Sequence, residues 1–437
     1  MSNKTRTALI LLLTMALLSV TVATSSAQKA NKLEIAHWRD VLRNVKRELK
    51  QNYYDPTFHG IDIDARFEVA NTKMESAESM DQLESIVAQV VLELNDTHTF
   101  LVPPDDGSSV EYGWRLKPVG DDGYVGAVKP GSDAAAKGLR PGDKVISIDG
   151  RSVDRNGVWL SNYLYYTLQP QETMTLLVEK PDQTRERLVI KANVNKMIGG
   201  IRYDFYEMDL KRPEGDRLRN HQLYELSNDV VIWRMPHFYI DEYTLAEKMS
   251  KLRNRKTLIL DLRRNTRGFR ETLPHFAGYF FDSNIKLADR RGRKDFEPIV
   301  AKNKKEKRFK GRLIVLIDGE SASSAEIFAR AVQLQKRGIV IGDRSAGSVM
   351  ERTLSQMSVG LMRSIPIALS ATKADIIMPD GTRLERVGVA PDELILPTPQ
   401  DMGEGNDPVL ARAASLAGIE MDSKKAGRLF PREWQRR

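Results

Sequence analysis

The sequence predicts a multidomain α/β protein with an N-terminal helical domain, a β-rich domain and a core on a mostly parallel sheet. Three observations predict it. "KTLILDL", "RLIVLID" and "IVIGD" are short unbroken apolar runs separated by helical stretches, as in strands buried on both faces. Residues 28 to about 100 space their apolar side chains three and four apart. Residues 108 to about 196 alternate strand-like segments with Gly, Pro and Asp-Gly turns. A chain of 437 residues, 41% hydrophobic and 29% charged, has room for about three domains.

The elements follow in order. "MSNKTRTALILLLTMALLSVTVATSSA" has Lys4 and Arg6, an apolar run from Ala8 to Val22, then Ser25 and Ala27 at small-x-small spacing. It reads as a secretory signal peptide, residues 1–27, with a retained anchor as the alternative. Export to a periplasm or the exterior is the corresponding expectation. Cysteine is absent, which excludes disulfides, thiol catalysis and thiolate metal sites.

Residues 28–107 form the expected helical domain. "LEIAHWRDVLRNVKRELKQNYY" sets Ile35, Trp38, Leu42, Val45 and Leu49 on one face. "SMDQLESIVAQVVLELND" does the same with Leu83, Ile86, Val90 and Leu94, opened by Ser79 and Gln82 as a capping box. "THTFLVPP" then turns extended and stops at its prolines.

Residues 108–196 form the second domain. In "GSDAAAKGLRPGDKVISIDG", Ser132 caps a short helix, Gly138 ends it, and Asp149-Gly150 makes a hairpin turn. Residues 197–400 alternate strands and helices: "DVVIWRM", "YTLAEKMSKL", "KTLILDL", "FRETLPHFAGYFF", "RLIVLID", "SSAEIFARAVQLQKRG" and "IVIGD". Ligands of such sheets sit at the strands' carboxyl ends, where "NTRG" and "GESASS" fall. Residues 401–437 are expected to be a helix and a peripheral basic tail.

The formal net charge is +8, and removing Lys4 and Arg6 with the leader leaves +6. Much of it lies in "RRGRKDFEPIVAKNKKEKRFKGR", residues 290–312. One reading is a solvated loop; the other is contact with an anionic membrane surface. Few aromatics interleave the cations, so nucleic acid is not an expected partner. No metal or other cofactor is expected, because the histidines lack HExxH or paired spacing.

"DGESASSAEIF" raises the chemical question. Ser323 with Glu326 is a Ser-x-x-Glu capping box, and one reading stops there. The other uses the same geometry: a hydroxyl at a helix start stands beside free amides that can hold an oxyanion.

The residues 124–153 stretch "YVGAVKPGSDAAAKGLRPGDKVISIDGRSV" resembles a PDZ domain of the bacterial protease type. The resemblance implies strand addition of a polypeptide C-terminus at "YGWRL", with Gly113, Trp114 and Leu116 as peptide-binding candidates. With "LILDLRRNTRG", "GESASSAEIFARAVQLQKRGIVIGDRSAG" and "MPDGTRLERVGVAPDELI", the chain is similar to the C-terminal processing, or tail-specific, serine peptidases. That similarity implies that Ser323 is the nucleophile, with Ser321 and Ser324 as loop and backbone participants. It implies oxyanion donors at the amides of Ser324 and Gly268, although Arg267 replaces the family loop's first glycine.

Many members place a lysine base where this chain has Ser348. A hydroxyl cannot deprotonate another hydroxyl at neutral pH. His98, in "NDTHTFL", resembles the base of the tricorn-type Ser/His branch, and Glu385, in "LERVGVAPD", resembles that branch's glutamate. The similarity therefore implies Ser323, His98 and Glu385 as the catalytic set, Glu385 acting directly or through a hydroxyl such as Thr97. His237 is the second candidate base. The alternative to an endopeptidase is an inactive relative that binds polypeptide C-termini as a scaffold.

Overall fold

The structure, a computed structural model, describes residues 30–103, 108–196, 220–269, 271–294, 296–359, 365–430 and 433–434. The leader expected at residues 1–27 lies outside them. Among the described residues no helix is long and apolar enough to cross a membrane. The N-terminal periodicity becomes α1 (Lys32–Asn52), α2 (Ile63–Lys73) and α3 (Met80–Leu92). Asn31 and Ser79 cap α1 and α3 by accepting first-turn amides. Trp38, Val45, Leu49, Leu83, Val87 and Val91 close one core between them.

A short strand, β1 (Phe100–Val102), leads from α3 toward β2 (Ser108–Glu111) and then a six-stranded antiparallel sheet. That sheet contains β3 (Trp114–Val119), β4 (Asp122–Val128), β5 (Lys144–Ile148), β6 (Arg151–Ser152), β7 (Thr173–Glu179) and β8 (Arg185–Lys191). Its order is β3-β4-β5-β7-β8, with β6 on β5, so β3 is an edge. The short helix α4 (Asp133–Ala136) is capped by Ser132 and followed by Gly138 at φ +79°. Asp149 and Gly150 both take positive φ, which suits a tight hairpin between β5 and β6. Helix α5 (Arg155–Tyr163) packs beside β3 and turns its other side to the N-terminal core, where the Tyr163 hydroxyl donates to the Leu101 carbonyl. β9 (Asn193–Lys196) returns to pair with β2.

The core sheet is built from β10 (Gln222–Glu225), β11 (Val230–Arg234), β12 (Thr257–Asp261), β15 (Arg312–Ile317), β16 (Ile339–Gly342) and β19 (Glu393–Leu394), in that order. All pairings but β10–β11 are parallel. The continuous apolar runs are explained by two covered faces. Trp233, Leu260 and Val315 face a core shared with α6 (Glu242–Leu252), α7 (Thr272–Ala277) and α8 (Ser324–Leu334). Ile232, Ile259 and Ile314 face the opposite core.

Three expectations change. The helix expected over "FRETLPHFAGYFF" is short, Thr272–Ala277, with Pro274 inside its first turn. Residues 290–312 are not a loop: β13 (Ile285–Gly292) and β14 (Ile299–Ala301) pair antiparallel, and Arg290 is held by Glu351. β13 also joins β18 (Ile365–Ile377), which pairs with β17 (Glu351–Val359) and β1. A second, antiparallel sheet therefore stands beside the parallel one and ties the N-terminal helices to the core. Finally, the C-terminal segment is not peripheral. After α9 (Pro399–Glu404), α10 (Pro408–Leu416) buries Val409, Leu410 and Ala413 on the sheet, α11 (Ser423–Ala426) packs behind it, and Glu433 bonds Arg115 and Arg264.

The β-rich domain is latched to the core by one buried ion pair. Arg155, at the start of α5, meets Asp343 at 3.0 Å, with side-chain exposures of 7% and 6%. Arg155 also donates to the carbonyls of Gly120, Arg344 and Ser345, and Gly120 N–H donates to Asp343. Removing one member of such a pair strands the other charge. Asp343→Ala is expected to lower the urea-unfolding free energy by about 3–5 kcal/mol, and adding Arg155→Met should cost less than the two single losses summed. A loss below about 1 kcal/mol would show that the latch is wet.

Candidate active site

Four loops meet at the carboxyl end of the core sheet. The first joins β15 to α8. Its turn is held by Ser321, whose hydroxyl donates to the Leu262 carbonyl and accepts from Asp318 N–H. Ser323 follows at φ 56°, ψ −118° and is half-buried. A non-glycine residue there costs about 1–3 kcal/mol and persists only where its surroundings dictate it. The Ser323 N–H is held twice, by the Ser348 carbonyl at 2.9 Å and the Glu326 carboxylate at 3.1 Å. The amide of Ser324 opens α8, where helix geometry offers it no acceptor.

The second loop follows β16. Glu326, fully buried, reaches across from α8 and accepts from the Ser345 hydroxyl at 2.5 Å and the amides of Gly347 and Ser348 at 2.8 and 2.9 Å. Burial raises its pKa to about 7 against these donors, with the charge of Glu385 adding.

The third loop carries Glu385. Two glycines let it approach. A Cβ on Gly347 would fall 2.9 Å from Val387 N, and one on Gly388 2.5 Å from the Ser345 carbonyl oxygen; both residues have positive φ. The Glu385 carboxylate accepts from Thr97 N–H and Val349 N–H, each at 2.9 Å. Burial raises its pKa to about 6, with these donors opposing and Asp96 adding.

The fourth loop joins α3 to β1. Buried Asp96 accepts from His98 N–H at 2.9 Å, the Thr372 hydroxyl at 2.8 Å and the Tyr53 hydroxyl at 2.9 Å. This turn aims the following pair. Thr97 Oγ1 lies 2.8 Å from His98 Nδ1 and 2.8 Å from Ser348 Oγ. The imidazole keeps some exposure, yet desolvation by the protein around it lowers its pKa to about 3, with Arg352 and Arg386 adding.

The structure thus brings Glu385, Thr97, His98, Ser348 and Ser323 into one connected array, across 225 positions between His98 and Ser323. Among the described residues no hydrogen bond joins His98 to Ser323 directly; Thr97 and Ser348 stand between them. Gly268 lies on the loop whose Asn265 carbonyl accepts Ala322 N–H. It packs against Phe238 so closely that a Cβ would fall 2.1 Å from the Phe238 Cβ. The second candidate base, His237, has its Nδ1 3.3 Å from His221 Nε2 and 3.2 Å from Tyr239 N.

A cavity of about 170 Å³ opens onto the array. Leu116, Pro118, Val158 and Trp159, from β3 and α5, form one wall, and Thr97, Ala322 and Ser348 reach it from the core. Of the three peptide-binding candidates, Leu116 lines this cavity. The Trp114 side chain is buried in its own domain and the Gly113 carbonyl accepts Lys129 N–H. Sequence reasoning missed Asp96, Ser345 and the central place of Glu326. Only Glu326 left a signal, as half of the Ser323 capping box, and the reverse half of that box is what forms here.

Comparison with known proteins agrees with this architecture. Residues 229–395 match the model of peptidase family S41, and residues 124–180 match a PDZ domain. Three curated relatives are a chain named tricorn protease homolog 2 from Streptomyces coelicolor, a CtpA-like serine protease of Staphylococcus haemolyticus and the tail-specific protease of Haemophilus influenzae. Identities are 23%, 21% and 25%, over 87%, 87% and 73% of this chain. The chain spans 32%, 71% and 45% of their lengths, well short of two thirds for the first and third. The fold is shared with mature CPAF complexed with lactacystin, at TM-score 0.63 and 15% identity over 85% of this chain and 96% of that one. It is shared also with the photosystem II D1 C-terminal processing protease, at 0.52 and 18% over 83% and 94%. A parallel core that ends in a strained serine thus carries the match to peptidase family S41 over residues 229–395, and the β-rich domain before it carries the match to a PDZ domain over residues 124–180.

Proposed function

We propose that the chain is an exported endopeptidase of the C-terminal processing type, with Ser323 as nucleophile, His98 as general base and Glu385 as the group that orients the base. The observation that carries this reading is the run from Glu385 through Thr97 to His98. Thr97 has one hydroxyl hydrogen. With it given to the Glu385 carboxylate, the oxygen accepts from His98 Nδ1–H. Nε2 is then the unprotonated nitrogen, as a base requires.

In this scheme His98 closes on Ser323 when substrate binds, since such contacts tighten in the reacting complex. Ser323 Oγ attacks the peptide carbonyl carbon and its proton passes to Nε2. The oxyanion is received by the amides of Ser324 and Gly268. The imidazolium protonates the leaving amine, and water then hydrolyses the acyl-enzyme by the same path. Substrate adds as a strand along β3, with a side chain in the cavity walled by Leu116 and Trp159. Pro118 offers no N–H, so pairing stops there. Export rests on the composition of residues 1–27.

Two expected outcomes test this. A fluorophosphonate should label the wild-type chain and not Ser323→Ala, and His98→Ala should lower peptide cleavage by at least ~10²-fold. An unlabelled wild type would favour the scaffold reading instead. The pH profile locates the titrating group. His98, held at about 3, is already neutral near neutrality, so a rise through the ordinary histidine range is not expected from it. Glu385, at about 6, must be ionised to take the Thr97 hydrogen. Activity should therefore rise with pH through about 6, and Glu385→Gln should lose that limb; an unchanged limb in Glu385→Gln would remove Glu385 from the scheme.

A further inference from the structure

We propose that Ser348 is a positioning residue for this reaction, joining the loop that bears the base to the loop that bears the nucleophile. The inference rests on the reading of Ser323 and His98 above and deepens it. Ser348 touches both halves at once. Its carbonyl accepts the Ser323 N–H at 2.9 Å, its own N–H goes to Glu326 at 2.9 Å, and its hydroxyl lies 2.8 Å from Thr97 Oγ1. It is buried, and its side chain reaches the cavity wall beside Thr97.

Hydrogen counting gives the hydroxyl a direction. In the scheme above Thr97 gives its hydrogen to Glu385, and its other two neighbours, each 2.8 Å from Oγ1, then donate to its two lone pairs. One is His98 Nδ1–H; the other is Ser348 O–H. The Ser348 hydroxyl therefore pins the Thr97 rotor in the orientation that leaves Nε2 free. Without it, Thr97 can turn and donate to Nδ1, which puts the proton on Nε2 and removes the lone pair that the attack needs. The residue that stands in the place of a lysine base thus holds the substitute base in its working tautomer. Because it acts through Thr97, its removal should slow chemistry without weakening substrate binding.

The test is a double-mutant cycle on the full-length chain with a peptide substrate. Ser348→Ala should lower kcat roughly tenfold, the weight of one neutral hydrogen bond, with KM changed less than about twofold. Ser348→Thr, which keeps the hydroxyl, should recover most of that loss. Combined with Thr97→Val, Ser348→Ala should add little to the loss of Thr97→Val alone, because both remove the same joint. Losses that multiply, or a Ser348→Ala enzyme with wild-type kcat, overturn the proposal while leaving Ser323 and His98 in place. A wild-type chain that neither labels nor cleaves overturns both readings. A fall in the folded fraction shared by Ser348→Ala and Ser348→Thr, with kcat per folded molecule unchanged, also overturns it.

Discussion

One buried carboxylate decides where Ser323 and Ser348 can stand. Glu326 collects the Ser323 N–H, the Ser345 hydroxyl and the amides of Gly347 and Ser348. Those donors come from two loops at the ends of neighbouring parallel strands, β15 and β16. A carboxylate taken out of water is costly unless such donors replace its hydration. Here they do so only in part, since burial still pushes Glu326 up to about 7. The consequence is geometric. Neither loop can move without stripping the carboxylate of a donor, and displacement of the β16 loop leaves its Oε1 unpaired. Ser323 keeps its strained backbone and Ser348 keeps its carbonyl on the Ser323 amide.

The same carboxylate gives pH a hold on the site. A carboxyl group whose native pKa exceeds its unfolded value binds more protons when folded, so its contribution favours folding at low pH. For Glu326 and Glu385 this contribution fades as pH rises from the ordinary glutamate range through about 7 and about 6. His98 runs the other way. Its native pKa lies far below the unfolded one, so folding gains as pH rises from about 3 through the ordinary histidine range. The two tendencies oppose each other across the mildly acidic region.

The parallel core was legible because strands covered on both faces cannot alternate. "KTLILDL" and "RLIVLID" had to be apolar at every position, since Leu260 and Ile259 face opposite cores. The N-terminal helices and the Asp149-Gly150 hairpin were legible through period and turn chemistry. The antiparallel sheet of β17 and β18 was not. "ERTLSQMSV" mixes polar and apolar residues with little contrast, and its partners β1 and β13 lie far away in sequence. The C-terminal segment was misread for a related reason: its charges dominate the composition, while Leu410, Ala413 and Ala426 do the packing. In the candidate site, the Ser323–Glu326 pairing was legible as a capping-box pattern. Asp96 did not, because its partners Tyr53 and Thr372 come from segments with no motif of their own.

An imidazole held near pKa 3 is a weak proton acceptor, and the array answers that weakness by where it puts charge. Arg352 and Arg386 oppose the imidazolium in the resting site. In the proposed reaction, however, a negative oxyanion forms beside Nε2 as it takes the Ser323 proton, and the Glu385 carboxylate, held on Thr97 N–H, lies on the Nδ1 side of the ring. The relevant quantity in that reaction is the stability of the ion pair in a partly desolvated site, where each charge counts for more than in solvent. Low basicity in the empty site also keeps His98 neutral, so the base is not lost to bulk protons. A lysine at position 348 would need deprotonation before each attack. On the proposed reading, the histidine and its serine joint need only the right tautomer, which the hydrogen bonds around Thr97 would set in advance.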